Sequence, residues 1–250
     1  MKFLKISTFC LLVAGMFSCN KHRVEAPPDL GYDYYPAKIG SYIIYDVDST
    51  VYHQIPNEDT VYYKFQIKER VDSFYKDNEG RVAVRLGRYK KTFNPAVPYS
   101  QMSWGDPQDV WTANKNVSNI EVVEENIRYT KLAFPTKLNA TWNGTAQANI
   151  DVSTPNTYTF TNAANTFTYT AFDTPSSYGN LSFQKTLTVT QLLNDNAIMY
   201  QNYYEKYARG VGLIYKELTN YNYQSGGTFT PGHIYEGLHY TMTINYYGVD

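Results

Sequence analysis

From Ile39 almost to the C-terminus, apolar side chains recur at every second position, the spacing that puts them on one face of an extended strand. Ile43, Tyr45, Val47 and Val51 alternate with Asp46, Asp48 and Thr50; Val61, Tyr63, Phe65 and Ile67 alternate with Tyr62, Lys64, Gln66 and Lys68. Asp77-Asn78-Glu79-Gly80 is a turn signal between the run ending near Tyr75 and the run from Arg81 to Tyr89, which predicts a hairpin. Further strands are predicted at Ile120 to Glu124, Ile127 to Phe134, Thr157 to Thr161, Thr166 to Phe172, Leu181 to Leu192, Ala197 to Ala208, Leu213 to Tyr223 and Ile234 to Tyr247. In the last of these, Ile234, Leu238, Tyr240, Met242, Ile244 and Tyr246 share one parity, and Gly237 is expected to mark a bulge. No long helix is predicted. The chain is mainly β, with one curved antiparallel sheet forming a half-open barrel, a barrel or a sandwich.

Such a fold must stand on its core, because Cys10 and Cys19 are the only cysteines and both are accounted for by the N-terminus. Tyrosine, at 26 residues, is the aromatic in greatest supply. Residues 93–119, with Trp104, Trp111 and several prolines, read as a long irregular excursion, either functional or a cap over an open end of the sheet.

The N-terminus reads as a signal. Lys2 and Lys5 precede an uncharged stretch, Ile6 to Ser18, too short to cross a hydrocarbon core of roughly 30 Å as a helix. Ala14-Gly15-Met16-Phe17-Ser18-Cys19 resembles a bacterial lipobox, in which small and apolar residues precede an obligate cysteine. The resemblance implies removal of residues 1–18, a diacylglycerol thioether and an N-acyl chain on Cys19, and membrane attachment by three chains, more than the two signals stable anchoring needs. Residues 19–38, with Pro27-Pro28 and Pro36, are expected to be an extended tether, and 39–250 a single β domain. Removing Lys2 and Lys5 leaves 20 basic against 23 acidic side chains, a net −3, with no basic surplus for a nucleic-acid backbone.

Phe17-Ser18-Cys19, Tyr34-Tyr35-Pro36, Ile39-Gly40 and Tyr42 to Ser49 together resemble the opening of a family of uncharacterised lipoproteins of the Bacteroidota. Val110-Trp111, Glu121 to Asn126, Thr141-Trp142-Asn143-Gly144 and Tyr203 to Glu217 fit the same pattern. Tyr207 to Ile214 also resembles a strand-turn-strand signature of periplasmic proteins with a LolA-like half barrel. These resemblances imply a β fold and an envelope address; Asn20-Lys21-His22-Arg23 lacks both the Asp that resembles an inner-membrane retention signal and the acidic cluster that resembles a surface-export signal, so the outer membrane is expected, with the periplasmic side favoured over the cell surface. They imply no activity.

Motifs for chemistry are sparse. Gly210-Val211-Gly212 lacks the third glycine and following helix of a dinucleotide fingerprint and reads as a glycine turn or bulge. His233 and His239, six residues apart on one strand, would stand roughly 20 Å apart, too far to share a metal. No metal or cofactor is expected. Asp46 with Asp48, and Glu121, Glu124 and Glu125, are the carboxylates from which a glycan hydrolase could draw an acid pair, which needs roughly 5 to 10 Å between the groups. Trp104, Trp111 and Trp142 are either sugar-stacking platforms or core. Asp48-Ser49-Thr50 and Asp59-Thr60-Val61 resemble short O-glycosylation sites of the Bacteroidota, with Ser49 and Thr60 as acceptors. The favoured expectation is a non-catalytic lipid-anchored envelope protein that binds a partner protein, a lipid or a glycan; the alternative is an envelope-polymer hydrolase.

Overall fold

A computed structural model describes residues 27–53, 60–148, 165–225, 228–229 and 232–250. Cys19, and the strand expected at Thr157 to Thr161, lie outside them. The chain runs up and down through β1 (Ser41–Tyr52), β2 (Val61–Lys76), β3 (Val82–Thr92), β4 (Asp109–Lys115), β5 (Asn119–Glu124) and β6 (Ile127–Ala133). It passes to β7 (Thr141–Asn143) and returns through β8 (Thr166–Tyr178), β9 (Leu181–Asp195), β10 (Met199–Ala208) and β11 (Gly212–Asn222). After the short pair β12 (Gln224–Ser225) and β13 (Thr228–Phe229) it ends in β14 (Glu236–Val249). Because β14 pairs with both β1 and β11, the two meanders join into one sheet of twelve strands, every pairing antiparallel, ordered β6-β5-β4-β3-β2-β1-β14-β11-β10-β9-β8-β7.

The two outer strands nearly meet. Thr130 N–H donates to the Gly144 carbonyl at 2.8 Å, and the Trp142 indole Nε1 donates to the Thr130 carbonyl at 2.8 Å. The Tyr169 hydroxyl on β8 accepts from Ala133 N–H at 2.9 Å and donates to the Ala133 carbonyl at 2.7 Å. The molecule is therefore an almost closed antiparallel barrel. No α-helix occurs among the described residues.

Period two carries through to burial. Tyr45 and Val47 are buried, while Asp46 and Asp48 lie on the outer wall, held by Gln66, Asn245 and Lys64. The predicted β2–β3 hairpin closes on Asp77, whose Oδ1 accepts from Glu79 N–H and Arg81 N–H, with Gly80 at φ 77°. Inside, Tyr34, Tyr45, Tyr169, Tyr207 and Phe167 are among the largest fully buried side chains. An aromatic residue buries roughly 150–250 Å², on the order of 4–6 kcal/mol at about 25 cal/mol/Å² as an upper figure. That exceeds the about 2–4 kcal/mol of a typical disulfide, so buried tyrosine can supply as much stabilisation as a cross-link would.

Three expectations change. Gly237 is not a bulge: it pairs regularly with Tyr52 and Tyr221, and a Cβ there would stand 2.3 Å from the Asn220 carbonyl oxygen. The bulge in β14 falls at Asn245, which is skipped between Ile44↔Tyr246 and Tyr45↔Ile244 and leaves Tyr246 exposed. The excursion from residue 93 ends at 108, because β4 is regular and pairs with β3 and β5. The tether, expected to run to residue 38, begins to fold at least ten residues earlier. Residues 27–40 form a strap across one end of the barrel, with Thr136 N–H on the Leu30 carbonyl, Gly210 N–H on the Asp33 carbonyl, and Tyr34 inserted into the core.

Candidate functional site

The inward side of this barrel carries charge. From β2, β3, β5, β6, β10 and β11 come Glu69, Arg88, Glu124, Lys131, Glu205 and Lys216, three anions against three cations. Lys131 Nζ bridges Glu124 Oε1 at 2.8 Å and Glu205 Oε1 at 2.7 Å; Lys216 Nζ bridges Glu124 Oε2 at 3.0 Å and Glu205 Oε1 at 3.5 Å. Glu205 Oε2 accepts from the Tyr207 hydroxyl at 2.6 Å. Beside this square, Arg88 Nε meets Glu69 Oε1 at 2.9 Å, and the guanidinium lies 3.5 Å from the Trp111 ring centroid.

Bulges aim two of these lysines. Ile120 pairs with Leu132 but Glu121 with Thr130, which leaves Lys131 extra on β6. Tyr207 pairs with Leu213 but Lys206 with Tyr215, which leaves Ile214 extra on β11 and puts Lys216 on the inward parity, opposite Glu205.

Burial alone would push Glu124 and Glu205 toward the neutral acid. The ammonium groups of Lys131 and Lys216 outweigh it, holding Glu124 down at about 2 and Glu205 below the usual carboxylate range. Burial likewise pulls Lys216 down, and Glu124 and Glu205 more than restore it. The Tyr207 hydroxyl is pushed well up by burial and then by Glu205. Each charge is answered within the cluster, and with Glu124 and Glu205 held ionised neither can donate a proton at neutral pH.

Toward the strapped end the lumen is not filled. A cavity of about 380 Å³ lies under Tyr35, Pro36 and Ala37 of the strap, walled by Ile43, Val71, Val84, Leu86 and Leu213 among others. The Gly210–Gly212 turn of the β10–β11 hairpin forms one side, with Gly210 at φ 73° and Gly212 at φ 107°. This is the glycine turn that the spacing predicts. Glu69 and Lys38 bring charge to the lining; Lys38 is exposed at the rim and Glu69 is in the wall. Tyr45 also lines the cavity, its hydroxyl spent on the Leu213 carbonyl at 2.9 Å.

Arg209 makes several of the side-chain contacts that clamp the strap. Arg209 binds Asp29 at 2.9 Å, Asp33 at 2.7 Å and Asp173 at 3.0 Å, and its guanidinium lies 4.5 Å from the Tyr34 ring centroid, while Tyr34 hydrogen-bonds Asp173. Lys115 Nζ also donates to the Tyr32 carbonyl at 2.8 Å.

The expected site residues are dispersed. Of the five acids considered for hydrolysis, Glu124 alone enters the lumen, where its neighbour is the unpredicted Glu205. Glu121 is buried beneath Arg81 and Arg128, and Glu125 is an exposed turn residue at φ 48°. The tryptophans do not converge. Trp111 and Trp142 both pack on the core, and Trp104 lies in the 93–108 segment, 4.0 Å from Lys91 Nζ, which donates to the Tyr99 carbonyl. Ser49 shares the inward parity of β1, opposite Tyr63 and Tyr240, and Thr60 is half-buried just before β2.

No family model matches the chain, and no curated protein matches it. Among solved structures it is similar to a Bacteroides fragilis protein described as exported and as having a YmcC-like fold. The match covers 86% of this chain and 98% of that one, at 12% identity and a TM-score of 0.39.

Proposed function

We propose that this protein is a non-catalytic lipoprotein of the bacterial envelope, anchored through Cys19, that holds a small apolar ligand in the cavity beneath its N-terminal strap. The observation that carries the reading is a partition of the lumen: its charged groups neutralise one another, and the space left open beside them is walled by aliphatic and aromatic side chains. A volume of 380 Å³ falls within the roughly 300–1,000 Å³ of small-molecule sites. Hydrolysis by a carboxylate pair gains no support from Glu124 and Glu205, since both are held ionised and a glycosidase needs one of its pair protonated. With acyl chains on Cys19, the strap would be the first folded segment after the membrane, and the mouth it covers would stand near the lipid surface.

The test is to extract the protein from its own membrane in polymer nanodiscs and measure its mass intact and after gentle release of bound molecules. The expected result is residues 19–250 carrying three acyl chains, with a copurifying apolar molecule that Val249→Trp, at the cavity rim, loses. An unprocessed chain free in the cytosol would overturn the anchoring, and equal retention of every small molecule by Val249→Trp would overturn the cavity reading.

A further inference from the structure

We infer that the cavity selects ligands bearing a hydrogen-bond donor, such as an alcohol, amide or amine on an apolar body, and rejects those bearing a carboxylate. The inference rests on the cavity reading above and adds the chemical class of its occupant.

Glu69 sets this preference. Its Oε1 takes the Arg88 guanidinium at 2.9 Å, while Oε2 has no hydrogen-bond partner among the described residues, on a side chain that lines the cavity. An ionised carboxylate only accepts hydrogen bonds, so the unused oxygen calls for a donor. A second carboxylate beside it would meet like-charge repulsion. Arg88 cannot turn to greet an anion without leaving both Glu69 and the Trp111 ring on which it is stacked. The Tyr45 hydroxyl, already donated to Leu213, leaves Glu69 as the carboxylate acceptor in the wall. Lys38, the other charged side chain of the lining, is exposed at the rim, where solvent screens it; the rest of the lining is mostly apolar, so the body of the ligand is recognised by burial and its head by Glu69.

The experiment uses the mature lipidated protein in phosphatidylcholine nanodiscs, with N-phenyl-1-naphthylamine as probe: an apolar body with a single N–H donor. Its emission is excited through the protein's tryptophans, so that probe dissolved in lipid contributes little. Probe binding that Val249→Trp abolishes locates the site. Dodecan-1-ol is then expected to displace the probe at a concentration at least about 10-fold lower than dodecanoate at pH 8, a difference of about 1.4 kcal/mol. In Glu69→Gln, which removes the repelling charge and leaves Arg88 unpaired, the preference is expected to narrow to within about 2-fold or to invert. Absence of probe binding, or binding that Val249→Trp leaves intact, would sink the cavity reading itself. Binding at the cavity with dodecanoate competing as well as the alcohol would leave that reading standing and overturn the donor preference alone.

Discussion

Lys131 shows how much one side chain holds in this lumen. It contacts Glu124 and Glu205 at once, the first half-buried and the second buried, so its removal leaves two anions facing each other with Lys216 alone between them. Breaking a buried pair costs about 3–5 kcal/mol, whereas replacing the whole pair by apolar groups is often neutral. Lys131→Met is accordingly expected to lower stability by about 3–5 kcal/mol in urea unfolding, and the double variant Lys131→Met/Glu205→Gln to recover at least about 1 kcal/mol of it. Additive losses would mean that the two side chains do not interact. Gln191 is the opposite case. It is the extra residue of a bulge between Tyr203↔Leu192 and Tyr204↔Thr190, it is buried, and neither amide atom has a partner among the described residues. Since an unpaired buried polar group costs about 1–3 kcal/mol, Gln191→Leu is expected to raise the urea midpoint. An unchanged or lowered midpoint would show that the amide is satisfied.

Among the elements, the strap joins the cavity to the N-terminus, and Arg209 is the joint. Arg209→Ala removes contacts to Asp29, Asp33 and Asp173 and uncovers the Tyr34 ring. Amide exchange is expected to quicken at least about 10-fold at Tyr34 and Tyr35 and at the amides that the strap accepts, Thr136 and Gly210, with the β2–β3 amides unchanged. Uniform quickening would mean that the strap and barrel unfold together. The same elements show where a sequence stops speaking. Strands whose neighbours alternate apolar and polar, such as β1, β2 and β14, are legible as strands because each residue's face follows from its parity. At Lys131, Ile214 and Asn245 one extra residue breaks the alternation, and those bulges aim Lys131 and Lys216 into the lumen and turn Tyr246 out. A lysine between Thr130 and Leu132 reads as polar and therefore solvated until its bulge is seen. The strap was obscured by its prolines, which suggest a free tether although Tyr34 is a core residue.

The barrel as a whole follows from composition and period: abundant aromatic and β-branched residues in long alternating runs, no disulfide, and no helix-length pattern. Its closure does not, because the hydrogen bonds that bring β6 to β7 and β8 among the described residues include one backbone bond, the Trp142 indole and the Tyr169 hydroxyl, which no local pattern announces. What closure creates is a lumen that brings six charges together, and the pH dependence of stability should reveal their contribution. Glu124 and Glu205 have folded values below their unfolded ones, so their contribution is fully present above about 4.5, the ordinary glutamate value, and is lost as pH falls through the folded values. For Glu124, a drop from 4.5 to about 2 amounts to on the order of 3 kcal/mol at about 1.4 kcal/mol per pH unit. Urea midpoints are therefore expected to be flat from pH 8 to about 5 and to fall steeply between about 4.5 and 2. In Lys131→Met the fall should begin at higher pH, because the carboxylates lose the cation that keeps them ionised while the burial that raises them remains. A wild-type profile that is level down to pH 2.5, or a variant profile with the wild-type onset, would mean that the lumen admits enough water to screen these groups, and that the charges sit in a wet channel instead of a sealed core.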